Sequence, residues 1–219
     1  MMERSEEALD VMKPYTSRQI EHWKAELAPY RRAAPSIEPQ KSALLVIDMQ
    51  HHFSPDCDPA VAPIRRAVDH CRLHDILVVF TQHGHTDPKR HGGMLSKWWD
   101  PAALITRGTT DHALIPDTGL TAGDPVIDEK QTYDAFQNTR LEGLLRSHGV
   151  ADLTVCGVMT NLCVETTARA AFVRNFSVRV LLDGTATAAE WMHVGALRNL
   201  AFGFAYVQTV SEWIETLPS

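Results

Sequence analysis

Apolar residues in this chain cluster in short unbroken runs, and stretches of helical spacing lie between them. Ala43-Leu-Leu-Val-Ile-Asp48 is the first run. Its lack of alternation predicts a central strand covered on both faces, as in parallel sheets. Ile76-Leu-Val-Val-Phe80, Pro125-Val-Ile-Asp-Glu-Lys130, Leu153-Thr-Val-Cys156, Val178-Arg-Val-Leu-Leu-Asp183 and Phe204-Ala-Tyr-Val-Gln208 predict five more strands. Helical segments fall between them. One starts at Asp58-Pro59, with Asp as cap and Pro at the first helical position, and runs to about His74. Others cover Arg140 to Ser147, capped by Asn138 or Thr139 and ended by Gly149, and Ala188 to about Leu200. Ser211 to Leu217 is a closing helical turn. Ser17 to Leu27 is a separate short helix, capped by Thr16 or Ser17, with Ile20, Trp23 and Leu27 on one face.

The order predicts an α/β fold: a three-layer, Rossmann-like open parallel six-stranded sheet with helices on both faces. Residues 1–40 read as an N-terminal extension carrying the Ser17–Leu27 helix, and 41–219 as the main domain. Thr81 to about Pro125 is a long, mostly irregular insert. Its Trp98 and Trp99 suggest an ordered cover over a pocket.

The run from Leu153 to Phe172 concentrates the chemistry. Gly157 interrupts the strand, and a helical pattern begins near Cys163, so a strand, a tight turn and a helix place this thiol at or just before a helix start. There, free N–H groups and the helix dipole favour thiolate, and the same N–H groups can receive an oxyanion. A buried structural cysteine is the plainer reading. Asp48 and Lys130 also end predicted parallel strands, where open α/β sheets bind ligands. Neighbouring strands lie about 4.8 Å apart, so groups at adjacent strand ends can meet. Cys163 would be the nucleophile, Asp48 the proton acceptor and later donor, and Lys130 the cation that steadies both anions.

Composition narrows the classes. The chain has 219 residues, 44% hydrophobic and 22% charged, with a net charge of −6. That suits one globular domain and disfavours nucleic-acid binding. Four cysteines without CxxC spacing suggest neither a disulfide framework nor a zinc knuckle, so a cytoplasmic location is expected. Met1 to Asp10 is charged and lacks the apolar region of a secretory signal. No apolar run approaches the roughly 18 residues of a membrane span.

From Lys41 to Val210 the chain resembles the isochorismatase-like cysteine hydrolases, a family that includes nicotinamidases, N-carbamoylsarcosine amidohydrolases and ureidoacrylate hydrolases. The matching pieces are Ala-Leu-Leu-Val-Ile-Asp48-Met-Gln50, Glu129-Lys130 with Tyr133 and Phe136, and Gly157-Val-Met-Thr-Asn-Leu-Cys163-Val-Glu-Thr-Thr-Ala-Arg-Ala-Ala. Asp183-Gly-Thr-Ala-Thr187 and His193 also fit. The resemblance implies a catalytic Asp48–Lys130–Cys163 triad, a cis peptide between Val158 and Met159, and an oxyanion hole at the N–H groups of Met159 and Cys163. It implies hydrolysis of an amide or ureido C–N bond in a small molecule through a cysteine thioester. It also implies a homodimer or homotetramer. A vinyl-ether hydrolase using Asp48 as acid is the alternative, although relatives dedicated to that reaction tend to lack the cysteine. A non-catalytic relative is another.

The chain departs from the family at two points. Asp134 stands where the family often has Ser. His83-Gly-His85-Thr-Asp-Pro-Lys-Arg-His91 has the spacing of the Asp-x-His-x5-His of nicotinamidases, with His for Asp. No cofactor is required by the thiol chemistry, but His83, His85 and His91 are candidate ligands for Zn²⁺ or a similar divalent ion. Phe53, Trp98, Trp99, Tyr133 and Phe136 are candidate aromatic pocket walls, with core packing the plainer reading of each.

Overall fold

A computed structural model describes residues 14–217. The reading of Met1 to Asp10 lies outside these residues. The sheet has six parallel strands in the order β3-β2-β1-β4-β5-β6. They are β1 Ser42–Ile47, β2 Leu77–Thr81, β3 Val126–Ile127, β4 Asp152–Val158, β5 Ser177–Ala186 and β6 Tyr206–Gln208. The helices are α1 Ser17–Leu27, α2 Asp58–Leu73, α3 Pro88–His91, α4 Leu95–Trp98, α5 Leu141–Ser147, α6 Glu165–Val173, α7 Glu190–Gly203 and α8 Val210–Ile214. Among the described residues no helix is long and apolar enough to cross a membrane.

The unbroken apolar runs have a direct cause: the sheet is buried on both faces. Ala43, Leu45 and Ile47 of β1 enter one core with α1, α5, α6 and α7. Leu44 and Val46 enter the other, against α2 and α8. Alternate β1 side chains therefore point to opposite layers, and neither set can be polar. Helix α2 buries Ala60, Ile64, Ala67, Val68 and Cys71, the i, i+4, i+7 face expected of a helix lying on a sheet. Helix α1 has a capping box: Thr16 Oγ1 accepts from Gln19 N–H at 3.2 Å, and Gln19 Oε1 accepts from Thr16 N–H at 3.0 Å.

Several expected boundaries shift. Cys57 takes the N-cap position of α2 without a side-chain cap bond, which moves Asp58 into the first turn, where its charge suits the helix end. Arg140 takes the N-cap position of α5 without a side-chain cap bond, while Thr139 Oγ1 accepts from Leu141 N–H at 3.3 Å. Asn138 instead takes a left-handed φ of 56°. Strand β4 does not stop before Gly157 but continues to Val158. It can do so only with glycine. Gly157 has φ +109°, and a Cβ there would lie 2.1 Å from the Ile47 carbonyl oxygen. Strand β3 is two residues rather than six, because it is an edge strand paired to β2 alone. Asp128 and Glu129 then turn out toward Arg140, and Lys130 is reached in the following loop.

The insert between β2 and β3 is ordered by Gln50, which is fully buried. Its Nε2 donates to the carbonyls of His83 (2.9 Å) and His112 (2.7 Å), and its Oε1 accepts from His83 N–H at 2.8 Å. One side chain thus pins both ends of the 83–112 excursion.

Candidate active site

Strands β1, β2 and β4 are neighbours, and their carboxyl ends open on the same edge. Asp48 follows β1 with φ 48°, a conformation uncommon outside glycine and enriched at functional sites. Its amide donates to Thr81 Oγ1 at 3.0 Å, and the Thr81 hydroxyl donates to Asp48 Oδ1 at 2.6 Å. Thr81 ends β2, so two adjacent strands lock the carboxylate. Lys130 Nζ donates to Asp48 Oδ2 at 2.5 Å and to Cys163 Sγ at 3.3 Å. Asp48 and Lys130 are fully buried, and Cys163 is 5% exposed. The structure therefore gathers the three expected residues around one ammonium group.

Cys163 lies in a π-turn, Thr160–Val164, that leads into α6. The Val158–Met159 peptide that enters the turn is cis. The Met159 carbonyl accepts from the N–H groups of Leu162 (3.0 Å) and Val164 (3.2 Å). Asn161 is tied to β5's end by the Thr187 hydroxyl, which donates to its Oδ1 at 2.6 Å. The lysine loop is tied to the same helix: Thr167 Oγ1 on α6 accepts from Ala135 N–H at 3.0 Å and donates to the Tyr133 carbonyl at 3.2 Å.

The charge state follows from burial and pairing. Burial raises the Asp48 carboxyl, but the Lys130 charge, His83 and hydrogen bonds from Lys130 and Thr81 outweigh it and hold the group below its ordinary value. Burial lowers Lys130, but Asp48 and Cys163 more than offset this and keep it an ammonium. Burial pushes the Cys163 thiol up; Lys130 opposes the rise and Asp48 adds to it. The resting triad is thus carboxylate, ammonium and neutral thiol. The helix-start effect expected to make a resting thiolate is overridden by desolvation and by the adjacent carboxylate.

Two concave regions are lined by chain neighbours of Lys130 and Cys163. A cleft of about 290 Å³ is walled by Met94, Leu95, Trp98, Trp99, Tyr133 and Leu162, the last next to Cys163 in sequence. A cavity of about 710 Å³ shares Met94, Leu95 and Tyr133 with it and adds Arg107, Glu129 and Gln131 among others. The triad side chains line neither; Leu162, Glu129 and Gln131 are their nearest chain neighbours there. Of the expected aromatic walls, Trp98, Trp99 and Tyr133 meet in the cleft, where Trp99 Nε1 donates to Tyr133 Oη at 2.7 Å. Phe136 does not join them. It is 6% exposed in the core, stacked on Phe176 at 6.0 Å beneath Arg174. Phe53 packs on the α2 side against His52. Asp134 closes its own turn by accepting Phe136 N–H at 2.8 Å.

The three candidate metal ligands do not assemble. His83 and His85 stand edge to face at 5.1 Å, and His83 Nδ1 and both ring nitrogens of His85 lack partners. His91, however, is exposed at the end of α3 and lines the outer cavity. Among the described residues no group of three or more His, Cys, Asp or Glu side chains is placed to hold an ion.

Sequence reasoning missed Thr81 and Gln50. Thr81 closes an ordinary apolar run, and nothing in its spacing marks it. Gln50 lies in the Asp48-Met-Gln50 motif but has a role visible only once the insert folds over it.

Comparison with known proteins places the fold and the family. The isochorismatase domain model matches residues 42–212. Nicotinamidase 3 of Arabidopsis thaliana is 47% identical over 167 residues, covering 76% of this chain and 83% of that relative. Ureidoacrylate amidohydrolase RutB of Serratia proteamaculans (strain 568) is 32% identical over 218 residues, covering 86% and 88%. A crystal structure of a cysteine hydrolase from Pseudomonas syringae pv. phaseolicola 1448A superposes with a TM-score of 0.77 at 26% identity, covering 84% of this chain and 98% of that one. With sheet order, matched region and relatives in agreement, the chain belongs to the isochorismatase domain family and is one of its hydrolases.

Proposed function

We propose that this hydrolase cleaves the C–N bond of a small amide or ureido compound through a thioester on Cys163. The observation that carries this reading is Lys130 Nζ, which bridges Asp48 Oδ2 at 2.5 Å and Cys163 Sγ at 3.3 Å inside a buried site. Asp48, held ionised, takes the thiol proton as sulfur attacks the carbonyl carbon. The C=O π bond opens, and the oxyanion is received by the N–H groups of Met159 and Cys163. Asp48 returns the proton to the leaving nitrogen as the C–N bond breaks. Asp48 then takes a proton from water, whose oxygen attacks the thioester and breaks the C–S bond. The acid departs, and the thiol regains its proton. Lys130 keeps its charge throughout and holds each anion in place.

The cleft walled by Trp98, Trp99, Tyr133 and Leu162 has the aromatic walls that suit a flat or apolar group of the substrate. A nicotinamidase and a ureidoacrylate amidohydrolase are among the relatives, so nicotinamide and ureidoacrylate are the first compounds to assay. Cys163→Ala is expected to lower kcat by at least about 10³ on whichever of them turns over. Undiminished turnover by Cys163→Ala would sink the thioester reading.

A further inference from the structure

Helix α1 lies before the matched family region, 42–212, yet it packs against α7, whose His193 meets the turn that carries Cys163. Trp23, 2% exposed, places its ring 4.5 Å from that of His193 on α7. Tyr15 packs edge-on against Trp23 at 4.7 Å and lies 5.8 Å from His193. Both aromatics are anchored: Trp23 Nε1 donates to Glu190 Oε1 at 2.5 Å, and the Tyr15 hydroxyl donates to the Thr185 carbonyl at 2.9 Å. Thr185 pairs with Gly157 across β4 and β5. The N-terminal segment therefore touches the frame of the catalytic turn at two points.

His193 is 2% exposed, and its Nδ1 lies 2.9 Å from Thr160 Oγ1. Burial pushes its imidazole down to about 3, so the ring is neutral at pH 7, with one acceptor nitrogen. Nδ1 is the nitrogen that meets the Thr160 hydroxyl, and the tautomer sets which of the two donates. Thr160 is fully buried and is the first residue of the Thr160–Val164 turn; the cis-linked Met159 precedes it, and Cys163 is the fourth residue of the turn.

We propose that His193 is a positioning residue for this turn and that α1 sets it. Trp23 and Tyr15 fix the imidazole, the imidazole fixes Thr160, and Thr160 fixes the backbone from which Cys163 and the Met159 N–H face the substrate. The proposal rests on the thioester reading of Cys163. Reacting groups tolerate little misplacement, and a shift of about 1 Å can cost 10²-fold in rate. Removing the contact should therefore act on kcat with little effect on folding or KM.

The test compares full-length wild type, Thr160→Val, Thr160→Ser, Trp23→Leu and Cys163→Ala on nicotinamide or ureidoacrylate, with thermal melts alongside. Thr160→Val keeps the shape and loses the hydroxyl. It is expected to lower kcat about 30-fold, with KM within about twofold and Tm nearly unchanged. Thr160→Ser restores the hydroxyl and should recover most of kcat. Trp23→Leu should lower kcat about 10-fold with KM within about twofold, at a lower Tm because the ring is part of the core; it also serves if Thr160→Val fails to fold. Unchanged kcat in Thr160→Val or Trp23→Leu would overturn the proposal. So would a loss in which kcat, KM and Tm fall together and Ser gives no rescue. The Cys163→Ala arm separates the two claims. If it matches wild type, the thioester reading has failed; if it is inactive while Thr160→Val is normal, only the positioning role has failed.

Discussion

At the scale of residues, the site is one ammonium hydrogen-bonded to a buried carboxylate and a thiol. Lys130→Met would leave Asp48 buried without its cation, raising its pKa and removing the donor to sulfur. Turnover is expected to fall by about 10³ or more in steady-state assays. Thr81→Val tests the second support. It removes one hydrogen bond that lowers the Asp48 carboxyl, so that carboxyl should rise. The acid limb of the kcat/KM profile should then move to higher pH, with kcat about 10-fold lower. An unmoved acid limb would show that Thr81 does not tune Asp48. The neutral resting thiol has its own signature. Because burial raises Cys163, its alkylation by iodoacetamide should keep rising above pH 9 rather than level off near neutrality. A plateau near pH 7 would mean a resting thiolate. Asp48, Lys130 and Cys163 were legible in the sequence because each closes or follows an apolar run. The protonation state of Cys163 was not. It depends on a desolvation and a neighbouring charge that only the folded site brings together.

Among the elements, the β1–β4 contact has the least freedom. Gly157 passes the Ile47 carbonyl so closely that no side chain fits. Ile47 precedes Asp48, and Gly157 lies just before the turn that carries Cys163, so this one approach bears on the spacing between the two side chains. Gly157→Ala is expected to destabilise the fold by about 3 kcal/mol or more in urea unfolding, since strain at positive φ adds to a backbone clash. A soluble, fully stable Gly157→Ala protein would contradict that account. The same glycine shows why strand boundaries were only partly legible. In a lone sequence it reads as a strand breaker, but here it carries the strand through a point of backbone contact. The edge strand β3 shows the converse. Pro125 to Lys130 looks like a core strand, but with a partner on one side only, its charged half peels away to Arg140. Phe136, likewise, is aromatic in sequence and core in structure, because the Tyr133-to-Phe136 loop folds back onto α6 through Thr167.

For the whole molecule, the parallel order was legible because two-sided burial forces unbroken apolar runs. What spacing left open was how the extension meets the sheet. Trp23 and Leu27 enter the same core as β1 and α7, so residues from the extension contribute to the stability of the main domain. That packing keeps His193 neutral, which makes stability depend on pH. Its folded pKa, about 3, lies below the ordinary 6.5. The stability linked to it is complete above about pH 6.5 and is lost as the pH falls toward 3, by up to about 1.4 kcal/mol per pH unit. Urea midpoints measured between pH 7 and 4.5 should fall more steeply for wild type than for His193→Asn, by about one bound proton. Parallel slopes would show that His193 does not contribute.

The central claim is covalent: Cys163 carries the acyl group between loss of the amine and arrival of water. It is tested most directly by quenching wild type and Cys163→Ala with acid within the first turnover of nicotinamide or ureidoacrylate and measuring intact mass. The account predicts an acyl adduct on wild type that maps to the peptide containing Cys163, and none on Cys163→Ala. Turnover with no adduct in wild type and undiminished product from Cys163→Ala would contradict it.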